Sequence, residues 1–89
     1  MGFAPLFAPT SITMADAGSA LSEGLDAIAQ GATEIDLSRL TGFDSSAVSA
    51  VLAWQRVAAE QGAALRITGL PAGLRSLAQL YGVDALLAD

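Results

Sequence analysis

Residues 34–48 read EIDLSRLTGFDSSAV and decide the fold, because the pattern changes there from strand to loop to helix start. Residues 34–37 alternate polar and apolar side chains, as a strand with one buried face does. Asp44, Ser45 and Ser46 then precede a helical pattern, and these residue types open helices. A helix start presents unpaired N–H groups and partial positive charge, which suit a phosphate or an acidic partner group. The segment therefore predicts a regulatory site with two hydroxyls at a helix tip.

The rest of the chain alternates helices with strands. Apolar residues at helical spacing, each run followed by glycine, predict helices from Asp16 to Gly31, from Ser45 to Gln61 and from Pro71 to Gly82. Strands are predicted at 3–7, 11–14, 33–37 and 64–68, the first at a sheet edge because it contains proline. Long crossovers favour parallel neighbours with right-handed connections. The predicted inward residues are Ile35, Leu37, Val48, Val51, Leu52, Ala58, Leu65, Ile67, Leu74, Leu77, Ala78 and Tyr81.

Two glycines lie inside the first predicted helix. Gly18 and Gly24 each weaken a helix by up to about 1 kcal/mol relative to alanine. That helix therefore depends on packing.

The composition indicates one small domain and excludes several functions. Of 89 residues, 53% are hydrophobic, which supplies a single core. The net charge of −5 and the absence of lysine argue against binding to nucleic acid or to an anionic membrane surface. Without Cys or His, the usual ligands of zinc, haem and iron–sulfur clusters are missing, and Ser–His or Cys–His catalysis is excluded. We predict no catalytic residues, no metal and no cofactor.

The amino-terminal segment 1–9 is apolar, but prolines interrupt it and it carries no base, unlike a secretory signal peptide. No run reaches the roughly 18 apolar residues of a membrane span. We expect one cytoplasmic domain over residues 1–89, with 1–10 as a short edge strand or an arm.

Asp44, Ser45 and Ser46 also have a purely structural interpretation. All three types cap helices, and losing a cap costs about 1 kcal/mol. The two interpretations are compatible, because a hydroxyl directly after a cap is open to a partner or a modifying enzyme.

Trp54 and the two nearby carboxylates also have competing interpretations. Trp54 is either a partner-binding aromatic or, as its position three residues after Val51 favours, the rim of a buried stripe. Asp36 and Asp44 would suit metal or acid–base chemistry, but no third ligand or basic partner accompanies them.

Four motifs, taken in order, resemble a STAS domain (sulfate transporter and anti-sigma factor antagonist). They are Ile35-Asp36-Leu37-Ser38, Asp44-Ser45-Ser46 at a helix start, QGAALRI at 61–67 and LAQLYGV at 77–83. The resemblance covers roughly residues 11–88. The Leu-Tyr-Gly-Val-Asp ending, the short length and the Trp-bearing central helix are most similar to the MlaB type, a small subunit of the Mla phospholipid ABC transporter. The resemblance implies a STAS-like α/β fold: a mixed sheet of about four strands with helices mainly on one face.

The resemblance also implies a function. It is that of a non-enzymatic subunit that binds an MlaF-like ATPase at the inner face of the inner membrane. By the same resemblance, Ser45 is the partner-contact or phosphoacceptor residue, Asp44, Ser46 and Ala47 form the docking loop and helix start, and Trp54 is a further interface candidate. The alternative is an anti-sigma factor antagonist phosphorylated on Ser45 by a cognate kinase. Many antagonists have glycine where this chain has Ala47, and the extra methyl weakens that alternative.

Overall fold

The computed structural model describes residues 7–83, which form three helices and four short strands. The helices are α1 (Ala17–Ala29), α2 (Ser45–Glu60) and α3 (Ala72–Leu80). The strands are β1 (Ser11–Ile12), β2 (Glu34–Asp36), β3 (Gly42–Phe43) and β4 (Arg66–Thr68). The predicted α/β order is confirmed. Strand β3 was not predicted, because two residues that include a glycine carry no alternation.

The strands pair in parallel, as the long crossovers predict. Ile35 of β2 lies opposite Ile67 of β4, and Ile12 of β1 lies opposite Phe43 of β3. Phe7, the one described residue of the predicted edge strand 3–7, bridges Ile35 in parallel. Its carbonyl accepts a hydrogen bond from the Asp36 N–H at 3.0 Å. Between Phe7 and β1 the chain thus passes from pairing with β2 to pairing with β3.

Pro9 explains why this chain segment forms two short ladders. It lies between Phe7, which bonds to β2, and Thr10, whose carbonyl accepts the Thr41 N–H at 2.9 Å. Proline has no N–H to donate to a ladder. The described strands therefore form two two-stranded sheets, β1 with β3 and β2 with β4, where the resemblance implies one sheet of about four strands.

One core lies between the strands and the helices. Its largest fully buried side chains are Ile12, Ile35, Leu37, Val51, Trp54, Ile67 and Leu74. The inward prediction is confirmed for Ile35, Leu37, Val48, Val51, Ala58, Ile67, Leu74 and Ala78. Leu52, Leu65 and Leu77 are only partly buried at its margin.

The inward prediction is wrong for Tyr81, which is 55% exposed. Tyr81 is the C-cap of α3, and Gly82 follows with φ of +72°, the left-handed conformation predicted for a helix-ending glycine. Helical spacing predicts the direction of a side chain but not where the core ends along the helix. At this position the ring lies beside an open groove.

Trp54 belongs to the buried stripe of α2, as its spacing from Val51 favours, but it lies at the centre of the core and not at the rim. The alternative interpretation of Trp54 as a partner-binding aromatic is wrong. Its side chain is 0% exposed, and therefore has no surface to offer a partner. The indole Nε1–H donates to the Leu21 carbonyl at 3.1 Å, and Phe7 packs against the ring edge-on at a centroid distance of 5.5 Å. The indole fits because Gly24 has no side chain: an added Cβ would lie 2.3 Å from Nε1.

We expect Gly24→Ala to lower the free energy of unfolding by about 1–3 kcal/mol, because the new methyl overlaps the Trp54 indole. Gly18→Ala is the matched control on the same helix, since no atom lies within 4 Å of its added Cβ. Helix propensity should make that control more stable by up to about 1 kcal/mol. Urea unfolding followed by circular dichroism measures both. Equal stability of the two variants would contradict this account of the core.

Candidate functional site at the start of helix α2

Asp44 caps α2 and also holds a neighbouring turn. Its backbone is extended (φ −142°, ψ −162°), and its Oδ1 accepts the Ser46 N–H at 2.8 Å, so the predicted cap is confirmed. Oδ2 accepts the Met14 N–H at 3.0 Å, from the turn between β1 and α1. One carboxylate therefore joins two segments thirty residues apart in the chain.

These bonds keep the carboxylate ionised. The Met14 N–H contributes most, followed by Ser46, and together they lower the pKa of Asp44 below its ordinary value of 3.8. The negative charge also lies at the positive end of the α2 dipole. Asp44 therefore has a structural role, as the cap of α2 and as the acceptor for the Met14 N–H.

Ser45 is the first residue of α2 and is exposed, whereas Ser46 is partly buried. The predicted outward position of Ser45 agrees with the structure. Ala47 is 0% exposed, which corrects its assignment to a contact surface and removes the argument that its methyl would crowd a kinase. The helix turns by about 100° per residue, so two residues after the tip the side chain already points into the core.

An open groove runs along α2 on the side of α3, and we call it the α3-side groove. It has a volume of about 380 Å³ and is lined by Ser45, Ser46, Val48, Ser49, Leu52, Tyr81 and Val83. None of the described residues that line it is charged. It joins Ser45 to the exposed ring of Tyr81.

A second groove of about 410 Å³, the α1-side groove, lies on the other flank of α2. It is lined by Ala17, Gly18, Leu21, Ser46, Ser49, Ala50 and Ala53. Ser46 and Ser49 line both grooves, so the start of α2 forms a low ridge of small side chains between them. A partner helix can approach such a ridge closely.

Sequence reasoning missed the exposed apolar residues around this ridge. Within residues 7–83, the large exposed hydrophobic residues are Met14 (81%), Leu80 (77%) and Tyr81 (55%). Met14 is attached to the tip through Asp44, and Tyr81 lines the α3-side groove. The position of Tyr81 directly before a helix-ending glycine was the signal that the helix, and with it the buried stripe, stops there.

The other carboxylates near the site also have local partners. Asp16 accepts the Ser11 hydroxyl at 2.6 Å, which is the main cause of its lowered pKa, and the Thr13 N–H. Asp36 accepts the Ser38 N–H at 2.9 Å, and Ser38, more than Arg39, lowers its pKa. Residues 7–83 contain no group of three or more His, Cys, Asp or Glu that could hold a metal ion.

The comparison with protein families gives a match over residues 10–88 to the family described as Mlab, STAS domain. The chain belongs to the MlaB STAS-domain family. No curated protein matches it. Among the described residues of this MlaB-type domain, none of the helices has both the length and the apolar character needed to cross a bilayer.

We expect Asp44→Ala to lower the free energy of unfolding of the MlaB-type domain at pH 7, because the first turn of α2 loses its cap. The folded-state pKa lies below the unfolded value, so the ionised carboxylate stabilises the fold above about pH 4, and this contribution disappears as the pH falls through the folded-state pKa. The difference between wild type and Asp44→Ala should therefore shrink on acidification. Urea unfolding at pH 7 and at pH 3 measures it, and a difference independent of pH would contradict the role of the charge.

Proposed function

We propose that this MlaB-type domain is a non-enzymatic, cytoplasmic subunit that binds and supports the ATPase of an Mla-type phospholipid transporter. Its place is then the inner face of the inner membrane, reached through the ATPase. Membership of the MlaB family supports the partner class. The observation that carries the proposal is that exposed Ser45 lines the same groove as Tyr81, so the tip and an apolar surface are continuous.

The apolar side chains favour docking as the use of this surface. Tyr81 and Leu80 at the end of α3, and Met14 beside the tip, leave large apolar areas in water. Covering apolar surface contributes roughly 25 cal/mol per Å². Tyrosine is also among the residues that contribute most at protein interfaces.

The proposed interface would take up a substantial part of the surface of this domain. A stable complex covers about 800 Å² on each partner, which is about one sixth of the 5000 Å² accessible surface of this domain. In the proposal, the interface includes the outward face of α2 and its two flanking grooves. The partner covers the ridge of Ser46 and Ser49 and contacts Ser45 beside it.

The chemistry of the helix tip favours a subunit that assists the ATPase and has no catalytic role of its own. Asp44, the carboxylate at the tip, is bonded to Met14 and Ser46, and the α3-side groove offers hydroxyl and apolar groups. In the proposal, nucleotide hydrolysis belongs to the ATPase. The MlaB-type domain contributes a shaped surface that stabilises the active assembly.

We expect Ser45→Arg to abolish co-purification with the transporter ATPase, because a long charged side chain would stand beside the ridge where the partner must approach. Ser76→Arg is the matched control, since Ser76 is an exposed serine of α3 outside both grooves. Both variants should unfold at the wild-type temperature. Undiminished complex formation by folded Ser45→Arg would overturn the proposed docking site.

We expect Tyr81→Ala to weaken ATPase binding about ten-fold or more, the effect of removing an interface aromatic. The ring is 55% exposed, so the melting temperature should change little. Titration calorimetry with the purified ATPase measures the affinity. Wild-type affinity of Tyr81→Ala would exclude the α3-side groove from the interface.

The phosphorylation-switched antagonist remains a second candidate, favoured by the exposure of Ser45 and by the burial of the Ala47 methyl. A phosphate would add about −1.5 to −2 charge at the start of α2. Intact-mass measurement after incubation with a cognate kinase separates the candidates. Stoichiometric phosphate on Ser45 would support the antagonist, and an unmodified chain that binds the ATPase would support the subunit.

A further inference from the structure

The outward face of α2 continues beyond the tip for three turns. Ser45, Ser49, Leu52 and Arg56 follow one another at intervals of four, three and four residues, which places them on one stripe. The first two and Arg56 are exposed, and Leu52 is partly buried. We call these four residues the α2 stripe.

A third depression lies at the far end of the α2 stripe. It has a volume of about 440 Å³ and is lined by Leu52, Gln55, Arg56, Ala59, Ala63 and Leu65. Leu52 also lines the α3-side groove, so the two depressions adjoin. A partner segment lying along α2 from Ser45 would reach Arg56 without leaving the surface.

Arg56 differs from the other arginines in its surroundings. The positive charge of Arg39 helps to lower the pKa of Asp36. Arg66 lies opposite Glu34 in the strand register, and Arg75 interacts with another group. Within residues 7–83 the guanidinium groups of Arg39, Arg56 and Arg66 make no hydrogen bond or ion pair, so the feature that distinguishes Arg56 is the depression that it lines. Arg56 stands beside Leu52, Ala59 and Leu65 in the third depression.

The negative net charge of the domain makes the position of Arg56 selective for acidic partner groups. The net charge is −5, yet the α2 stripe carries a cation and no carboxylate. Exposed Glu60 follows one turn further along the helix, so the charges along α2 change sign in the order Arg56, Glu60. An acidic partner group is repelled by most of the domain and attracted at this position.

We propose that Arg56 binds a carboxylate of the transporter ATPase, on a segment whose apolar side chains fill the third depression. The proposal rests on the proposed function and extends its docking surface from Ser45 to the end of the α2 stripe. Covering the depression takes water from the guanidinium, and a charge that loses water needs a partner. A carboxylate suits it best, because the planar guanidinium donates two parallel hydrogen bonds to the two oxygens.

Arg56→Glu and Arg66→Glu test the proposal as a matched pair. Both replace an exposed arginine and change the net charge equally, but Arg66 lies on β4 outside the third depression. Titration calorimetry with the purified ATPase at low and high salt gives the affinities. We expect Arg56→Glu to weaken binding ten-fold or more at low salt, with a smaller ratio at high salt, and Arg66→Glu to bind nearly as wild type does. Among ATPase variants with one Asp or Glu changed to Arg, one should restore binding to Arg56→Glu.

The outcomes separate this inference from the proposed function. If wild type binds, Ser45→Arg does not, and Arg56→Glu matches Arg66→Glu, the docking site stands and the role of Arg56 is wrong. An equal loss in both charge variants would also overturn it, because the effect would then belong to net charge. If the wild-type domain and the ATPase form no complex, both proposals fall.

Discussion

The close contact between α1 and α2 depends on the Trp54 indole lying against Gly24. A tryptophan in the interior needs a partner for its N–H, and the Leu21 carbonyl one turn before Gly24 supplies it. The bare backbone of Gly24 and this hydrogen bond together fix how α1 lies on α2. With α1 in that position, the turn before it lies close enough to α2 for the Met14 N–H to reach the Asp44 carboxylate. The geometry of the candidate site therefore follows from packing in the core.

The strands position the tip from the other side. Asp44 follows β3 directly, and its N–H donates to the Ile12 carbonyl of β1 at 3.4 Å. Its carboxylate binds the turn after β1 and the first turn of α2. Ser45 thus starts a helix whose preceding residue is hydrogen-bonded to four others, Ile12, Met14, Ser46 and Ala47. A docking residue held in this way is already ordered before a partner arrives, and less conformational entropy is lost on binding.

The sequence predicted the elements well and the edges of the core poorly. Helical spacing and helix-ending glycines gave all three helices, and crossover length gave parallel pairing, because both depend on local geometry. Gly24 was interpreted as a weakness of α1, since propensity cannot show that an indole from α2 occupies the missing side chain's place. Tyr81 and Ala47 were misplaced for a related reason: periodicity gives a direction, while exposure depends on which element lies opposite. At the site, the capping residue and the exposure of Ser45 were predictable from residue type, whereas the grooves beside α2 required the packed structure.

The burial of Trp54 also determines what its intrinsic fluorescence measures in solution. It is the single tryptophan of the chain, and its indole has no contact with solvent. Its intrinsic fluorescence should therefore have the blue-shifted emission of a dry indole and respond to loss of the fold, while an occupant of the α2 surface would leave it almost unchanged. The tryptophan fluorescence of this chain therefore reports whether the domain is folded, and it is nearly insensitive to binding at the α2 surface.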